Sequence, residues 1–417
     1  MNQERTADIA VIGGGIIGLC VAERLIHEGF SVTVIERERI AAGASAGNAA
    51  GFAFSEIMPM ASSATIRKAV KWLVDPTGPF SVVPQDLHKT ISWLVKFAAA
   101  SRNSVFDQSL KTLAAMMQLE RQTLPDMLTR TGLESMVRES GALYLYETKA
   151  KLSQEIRNWN LRDRNGVSFE CFEGAALHQF QEGLSKRIVA GVNVPFYKSV
   201  SDPKDYCIAL HEVIESKGVE TRYETVGNLV LTPDGAVIHT EEGAALKAEK
   251  VVVAAGPWSS EVIAPLGDKV PLIGERGYNT TFPKSAFPSL ERPLFFTAHG
   301  FVMSPLINGI RVGGASEISR LGREPNYERS RAMLRVAKTF VPDLHAADGV
   351  EWMGTRPTTP DTLPVIGHAT NSPNVVYAFG HGHLGLSLAT STAKLVADLI
   401  CDRRVSLDIN TLGPQRF

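Results

Sequence analysis

Cysteine is scarce in this chain, and what there is cannot build a framework. Cys20, Cys171, Cys207 and Cys401 are scattered over 417 residues with no C-x-x-C pair. That pattern argues against a disulfide scaffold or a zinc site, so no metal is expected and a reducing compartment fits best. One-sided charge is lacking too. With 43 Lys and Arg against 44 Asp and Glu, the formal net charge is −1, and no general field draws the chain toward nucleic acid or an anionic membrane. No nucleic-acid partner is expected. Long apolar runs are also missing. Asp8 interrupts the N-terminus, and the first apolar stretch contains glycines and ends at Glu23-Arg24, short of the roughly 20 residues of a membrane helix. Neither a signal peptide nor a span is read there. The expected location is the cytoplasm, with peripheral docking on the inner face of the membrane left open.

Glycine, by contrast, is concentrated in one telling place. Ile9-Ala-Val-Ile12 leads into Gly13-Gly14-Gly15-Ile16-Ile17-Gly18, followed by apolar residues at helical spacing to His27, then Ser31-Val-Thr-Val-Ile35 and Glu36. This is strand, glycine turn, helix, strand and acid. In such a unit Gly13 permits the tight turn, Gly15 admits a pyrophosphate, and Gly18 lets the helix close on the strands. The helix N-terminus favours the phosphates, and Glu36 stands where a carboxylate accepts ribose hydroxyls. The motif alone leaves NAD and FAD equally open.

Past Arg37 the chain enters Ala41-Ala-Gly-Ala-Ser45-Ala-Gly47-Asn48-Ala-Ala-Gly51, small residues that allow close backbone approach to a flat ligand. Gly43 to Gly47 also spells G-x-S-x-G. A nucleophile elbow needs an apolar strand before its serine, and here a charged turn precedes it, so the hydrolase reading is set aside.

From 57 to 200 the character changes to that of an inserted domain. Apolar spacing predicts helices over 86–100 and 109–130, capped by Asp86 and Ser109, with Gly132 closing the second. Residues 142–146 predict a strand. Met116, Met117, Trp72 and Trp93 read as core or domain-contact residues. A helix then begins at Asp202-Pro203 and ends before Gly218. Short strands over 219–223, 228–232 and 236–240 lead to Lys250-Val-Val-Val-Ala-Ala-Gly256-Pro257-Trp258. That near-continuous apolar run is expected of a parallel strand buried on both faces, with Gly256 at the edge where ligands bind in open α/β sheets.

Here a family resemblance becomes specific. Val251 to Ser259, taken with the glycine fingerprint, resembles the FAD-dependent D-amino-acid oxidase and dehydrogenase superfamily. So do Gly354-Thr-Arg356-Pro357-Thr-Thr-Pro360-Asp361-Thr-Leu-Pro-Val-Ile-Gly367 and Gly380-His381-Gly382-His383-Leu384-Gly385. Among its branches the bacterial D-amino-acid dehydrogenases look most similar, and their Asn-Ala-Gly run resembles Asn48 to Gly51. The resemblance spans nearly the whole chain and is weakest over 57–200. It implies an α/β chain, α+β overall. A Rossmann-type FAD-binding domain of the glutathione-reductase type (1–56, 201–262 and 345–417) would carry an inserted mixed-sheet substrate domain (57–200 and 263–344).

The resemblance also implies a cofactor shell. At the nucleotide end it comprises Gly13, Gly15, Ile16, Ile17, Gly18, Glu36, Arg37, Ser45, Gly47, Asn48, Gly51, Val226, Ala255, Gly256 and Trp258. Gly354, Gly380, Gly382, His383, Leu384 and Gly385 complete it. The Gly380 to Gly385 turn opens onto a predicted helix over 386–400, whose N-terminus would stabilise negative charge at the flavin's pyrimidine edge. The resemblance puts one of His381 and His383 near the flavin, with His383 the catalytic candidate; the alternative is a histidine bonding backbone in a tight turn. Arg356 is expected to hold the substrate carboxylate, since a guanidinium matches a carboxylate two-pronged; the alternative is a structural arginine tied to Asp361. Tyr278 is the second candidate, by hydrogen bond or as a cover. Arg276 reads equally as a structural ion-pair partner or a ligand, and Glu317 chiefly as structural. Related amine oxidases carry a flavin-linking cysteine in this loop, and Gly354-Thr-Arg-Pro357 replaces it, so non-covalent FAD is expected.

The implied reaction is oxidative deamination of a D-amino or imino acid, such as D-proline or a hydroxy-D-proline. Hydride would leave Cα for the flavin, and electrons would pass to quinone, oxygen or a partner protein. Three alternatives stay open: a glycine- or sarcosine-type secondary-amine oxidase using oxygen, an NAD-dependent dehydrogenase, and a non-catalytic flavin-binding subunit.

Overall fold

The computed structural model describes residues 5–63, 65, 66 and 80–417, so Trp72 lies outside the described residues. The first element laid down is a parallel sheet. Arg5–Ile12 pairs on one side with Val32–Glu36, which pairs in turn with Glu220–Tyr223. On its other side it pairs with Ala245–Val253, and Val251 to Val253 run parallel to Val375 to Tyr377 of Ser372–Phe379. The first half of Ala245–Val253 takes Gly235–Thr240 in antiparallel register, and Val226–Thr232 extends that meander.

The apolar run is buried on both faces, as its composition predicts. Val252 joins the core beneath the helices Ile16–His27, Asn103–Thr131, Pro203–Ser216 and Ala389–Ile400, while Val251 and Val253 join the core on the opposite face. That alternation is the period-2 geometry of a strand. Each of the three valines is 0% exposed and contributes roughly 1.5–3 kcal/mol.

A second sheet of nine strands stands beside the first. Its path runs Val350–Thr358, Ile273–Pro283, Gly309–Ile318, Phe301–Pro305, Leu294–Phe296, Ala142–Tyr146, Ala190–Val194 and Glu170–Glu173, with Phe80–Val82 parallel to Gly309–Ile318. A three-stranded ribbon of Gly51–Phe52, Lys198–Val200 and Val137–Glu139 joins the small-residue run to it. The strand carrying Arg356 therefore hydrogen-bonds within the second sheet.

The expected helices form, with two differences at their starts. The second begins at Asn103, six residues before Ser109, which is buried inside it. Residues 103–108 are mostly exposed, with Phe106 half-buried and extending the spacing of Leu110 and Leu113 back by one turn. Asp86 does precede Leu87–Ala100, but its carboxylate does not cap. It accepts from the Arg320 N–H at 3.0 Å and from Ser319 Oγ at 3.2 Å, and these bonds hold its pKa down. Gly132 closes the long helix in the left-handed conformation at φ 69°. Asp202 caps Pro203–Ser216 through Lys204 N and Asp205 N. Met116, Met117 and Trp93 are buried. The C-terminal helix opens with a 3-10 turn, Leu386–Leu388, before Ala389–Ile400. Among the described residues no helix is long and apolar enough to cross a membrane.

Candidate active site

A cavity of about 1770 Å³ runs from the glycine turn to the Arg356 strand, larger than the roughly 300–1,000 Å³ of a site for one small ligand. At its first end the glycines do the work their spacing predicts. Gly13 has φ 118°, and a Cβ on it would lie 2.4 Å from the Ala254 carbonyl oxygen; one on Gly18 would lie 1.9 Å from the Gly13 oxygen. Gly15 precedes the helix with no side-chain cap of its own. Ser45 supplies one from a distance, its Oγ accepting from Ile16 N at 3.0 Å. Gly13, Gly15, Ile16 and Ile17 line the cavity, so this helix start turns toward it the end whose unpaired amides favour an anion.

Glu36 is oriented by the same turn. Its Oε2 accepts from Gly14 N at 2.8 Å and its Oε1 from Glu38 N at 3.0 Å. Arg37 lies 3.6 Å over the Trp258 ring, and both line the cavity with Glu36, Val226, Ala255 and Gly256.

The small-residue run forms the cavity's middle wall. Asn48 folds it by donating to Ser45 O and accepting from Ala50 N. Asn279 donates to Gly47 O at 2.8 Å and Arg311 to Asn48 O at 2.8 Å. A Cβ on Gly47 would fall 2.3 Å from the Trp352 ring, one on Gly51 1.7 Å from the Tyr197 hydroxyl, and one on Gly354 2.1 Å from Trp352. Ser45, Gly47, Asn48, Gly51 and Gly354 all line the cavity.

At the far end the loop after Ser372–Phe379 turns at Gly380 (φ 82°) and Gly382 (φ 54°). Gly382 N donates to Pro357 O at 2.8 Å, fastening this loop beside Arg356. Gly382, His383, Leu384 and Gly385 line the cavity. Gly18 and Gly380 do not; they are the close-packing glycines behind its wall, with Thr359 beneath Gly380. Both histidines line the cavity but differ in their partners. His381 is buried with Nε2 2.9 Å from Thr392 Oγ1, and burial lowers its pKa to about 3. His383 faces the cavity. Enclosure by the wall lowers its pKa, Glu275 and Glu56 pull the other way, and Arg356 adds to the lowering.

Arg356 stands across from Glu275 in the strand register and donates from Nη1 to Glu275 Oε1 at 2.7 Å and to Ser316 Oγ at 3.3 Å. Its guanidinium lies over Gly277, where a Cβ would meet Nη2 at 2.4 Å. With 26% of its side chain exposed, it is open to the cavity. Glu275 is 3% exposed. Its Oε1 also accepts from Ser316 Oγ at 2.6 Å, and its Oε2 from Thr358 Oγ1 at 2.9 Å. Burial would raise its pKa, but the Arg356 charge and these bonds bring it below the usual value. Asp361 is not the partner of Arg356; it pairs with Arg416 at 2.8 Å.

Tyr278 lines the cavity, but its hydroxyl is committed: the residue is 1% exposed, and the hydroxyl donates to Glu317 Oε2 at 2.7 Å and accepts from Asn326 N at 3.2 Å. Arg276, 2% exposed, donates to the Glu324 carbonyl at 2.9 Å and pairs with Glu317 at 3.4 Å. Arg276 and Tyr278 share Glu317 as partner, whereas Glu275 and Gly277 meet Arg356. Period-2 alternation along Ile273–Pro283 was the signal for Glu275, and it went unused. Glu56 and Tyr144, joined at 2.7 Å, also line the cavity and had no motif to mark them.

The donor set fits an adenine dinucleotide with a flat second ring. Amides and a carboxylate stand at one end, a glycine-edged turn at the other. Among the described residues no cysteine lines the cavity.

Comparison with known proteins agrees in scale. A family profile described as FAD dependent oxidoreductase matches residues 8–399. A D-amino-acid oxidase of Bradyrhizobium diazoefficiens is 28% identical over 98% of both chains. D-amino acid dehydrogenase 1 of Mesorhizobium japonicum is also 28% identical, over 98% of this chain and 99% of its own. Among solved structures, glycine oxidase from Geobacillus kaustophilus superposes with a TM-score of 0.78 at 22% identity, covering 99% of each chain. L-proline dehydrogenase from P. horikoshii gives 0.75 at 19% identity, over 99% of this chain and 98% of that one.

Proposed function

The chain belongs to the FAD-dependent oxidoreductase family, and from that premise we propose that it oxidises D-amino acids by removing hydride from Cα, with a non-NAD acceptor taking the electrons. The observation that carries this reading is Arg356: a guanidinium braced on one nitrogen by Glu275, open to the cavity, and fixed beside the loop that ends in His383. The names of the full-length relatives support it, since they cover D-amino-acid oxidase and dehydrogenase.

FAD, when bound, supplies the hydride acceptor. The chain supplies position. Arg356 takes the substrate carboxylate, and the Glu275 brace keeps the guanidinium from swinging. His383, whose low pKa favours the neutral imidazole, accepts a hydrogen bond or proton from the substrate amine, so the nitrogen lone pair is free when hydride leaves. The apolar wall around these groups excludes water. A cyclic imino acid such as D-proline presents the same carboxylate and amine and belongs to the proposed range.

In this reading residues 1–56, 201–262 and 345–417 form the flavin-binding part and 57–200 and 263–344 the substrate-binding part. The strand Val350–Thr358 ties the first into the sheet of the second. FAD is held without a covalent bond, and acid precipitation should leave the yellow colour in the supernatant. The reading itself is tested by anaerobic bleaching of the flavin with D-amino acids, L-amino acids and secondary amines. Bleaching by D-amino acids supports it, and bleaching only by glycine or sarcosine would replace it with the amine-oxidase reading.

A further inference from the structure

Building on the D-amino-acid reading, we propose that the preferred substrate carries a cationic side chain, received by Glu56 against the aromatic wall of Tyr144 and Phe295. Two carboxylates, Glu275 and Glu56, line the same cavity as Arg356 and His383. Glu275 is spent: it is buried, and its oxygens already take Arg356, Ser316 and Thr358. Glu56 is only half-buried, and Tyr144 is its one hydrogen-bonded side chain among the described residues, donating at 2.7 Å. Ser55 Oγ lies 2.8 Å from the same hydroxyl, so the tyrosine is held and Glu56 is oriented. A carboxylate kept in this way on a cavity wall is a receptor for a cation.

The wall around it suits one. Tyr144 and Phe295 stack at 4.4 Å and 7°, and Phe295 is half-buried and lines the cavity. Aromatic faces beside a carboxylate attract ammonium and guanidinium groups. Two cations on the same wall are committed elsewhere: Arg162 Nε donates to Ser55 O at 2.9 Å with its guanidinium 4.8 Å over Trp159, and Lys151 Nζ pairs with Glu147 at 2.8 Å.

Charge decides between a cationic side chain and a neutral one. Arg356 and Arg162 balance Glu275 and Glu56, while His383 stays neutral. Once its α-amine is neutral, as hydride departure requires, an ordinary amino acid is an anion and leaves the site with an unmatched negative charge. A cationic side chain removes that charge and pairs with Glu56. Glu155 and Lys151 also line the cavity, and their charges offset one another. In an enclosed site such a mismatch discriminates strongly.

The test is anaerobic stopped-flow reduction of the holoenzyme by D-lysine and D-arginine against D-norleucine, which matches lysine in length without the charge. The expected result is a ratio of reduction rate to dissociation constant about tenfold or more in favour of the cationic substrates, as one charged hydrogen bond provides. In Glu56→Gln, which can still accept from Tyr144, the ratio should collapse to near one. Equal or better reduction by D-norleucine in the wild type overturns the proposal without needing any variant, as does a Glu56→Gln variant that weakens both substrates alike. If no D-amino acid bleaches the flavin, the underlying function falls and takes this inference with it. Bleaching without charge preference defeats this inference alone.

Discussion

Arg356→Ala should damage two things at once, and a second substitution should separate them. The guanidinium lost is the group assigned to the substrate carboxylate, and charge-assisted bonds of that kind are worth about 2–4 kcal/mol together. The apparent dissociation constant for a D-amino acid should therefore rise by a factor on the order of 30 to 1,000. The loss also strands Glu275, which is 3% exposed. Removing one partner of a buried pair costs about 3–5 kcal/mol. Ser316 and Thr358 still donate to this carboxylate, and Arg356 is itself partly open to solvent, so about 2–3 kcal/mol is the fitting figure at neutral pH. Glu275 now has a depressed pKa, so it stabilises the fold above the ordinary carboxylate range, and that stability is lost as pH falls through its folded pKa. Without Arg356 the sign reverses, and the variant should gain on the wild type as pH drops. Glu275→Gln in the Arg356→Ala background removes the stranded charge and should restore most of the thermal midpoint but none of the substrate affinity. Differential scanning fluorimetry at pH 5 and 7.5, with anaerobic reduction transients, reads both quantities. Unchanged substrate affinity in Arg356→Ala, or affinity regained in the double variant, would refute the reasoning.

Gly18→Ala places a Cβ 1.9 Å from the Gly13 carbonyl oxygen, so the helix must back away from the turn; the purified protein should have lost most of its visible flavin absorbance. Gly277→Ala pushes against Arg356 Nη2 from 2.4 Å; it should keep flavin yet bind D-amino acids about tenfold or more weakly, and transients showing wild-type affinity would remove Gly277 from the site. Glu120 is 0% exposed, accepts from Ser391 N at 2.7 Å and Thr390 N at 3.2 Å, and burial raises its pKa to about 7. A raised carboxylate costs stability as pH climbs from its unfolded value through its folded one, so Glu120→Gln should be more stable than the wild type by up to about 3 kcal/mol at pH 8.5 and by little at pH 4.5; denaturant melts at the two pH values measure it.

The nucleotide half was largely legible because it rests on backbone geometry that only certain residues can adopt. Gly13 at φ 118° and Gly18 against a carbonyl oxygen are conditions that letters at fixed spacing report directly. The run Val251 to Val253 announced a strand buried on both faces, and it is one. The substrate half was less legible because its chemistry is made by cross-strand pairing. Nothing local to Glu275 says that residue 356 lies opposite it, 81 positions away, and nothing local to Tyr278 says that Glu317 takes its hydroxyl. Glu56 and Tyr144 meet only through folding of the segment where resemblance was weakest. The start of Asn103–Thr131 differs for another reason: its first turn is mostly exposed, and only Val105 and Phe106 mark it.

The run from Ala41 to Gly51 connects these two halves, and its smallness follows from that position. Ser45 reaches back to cap the helix at Ile16, while the carbonyls of Gly47 and Asn48 are held by Asn279 and Arg311 from the second sheet. Gly47 and Gly51 lie against Trp352 and Tyr197, leaving no room for a side chain. Trp352 is four residues from Arg356 on the same strand, so the run that lines the cavity also sets where that strand sits. On the proposed function, cofactor binding and carboxylate placement share one joint. A substitution that shifts Gly47 should weaken both together, whereas one at Gly277 shifts the guanidinium alone; comparing flavin retention with substrate affinity across the two positions locates the joint by its coupling.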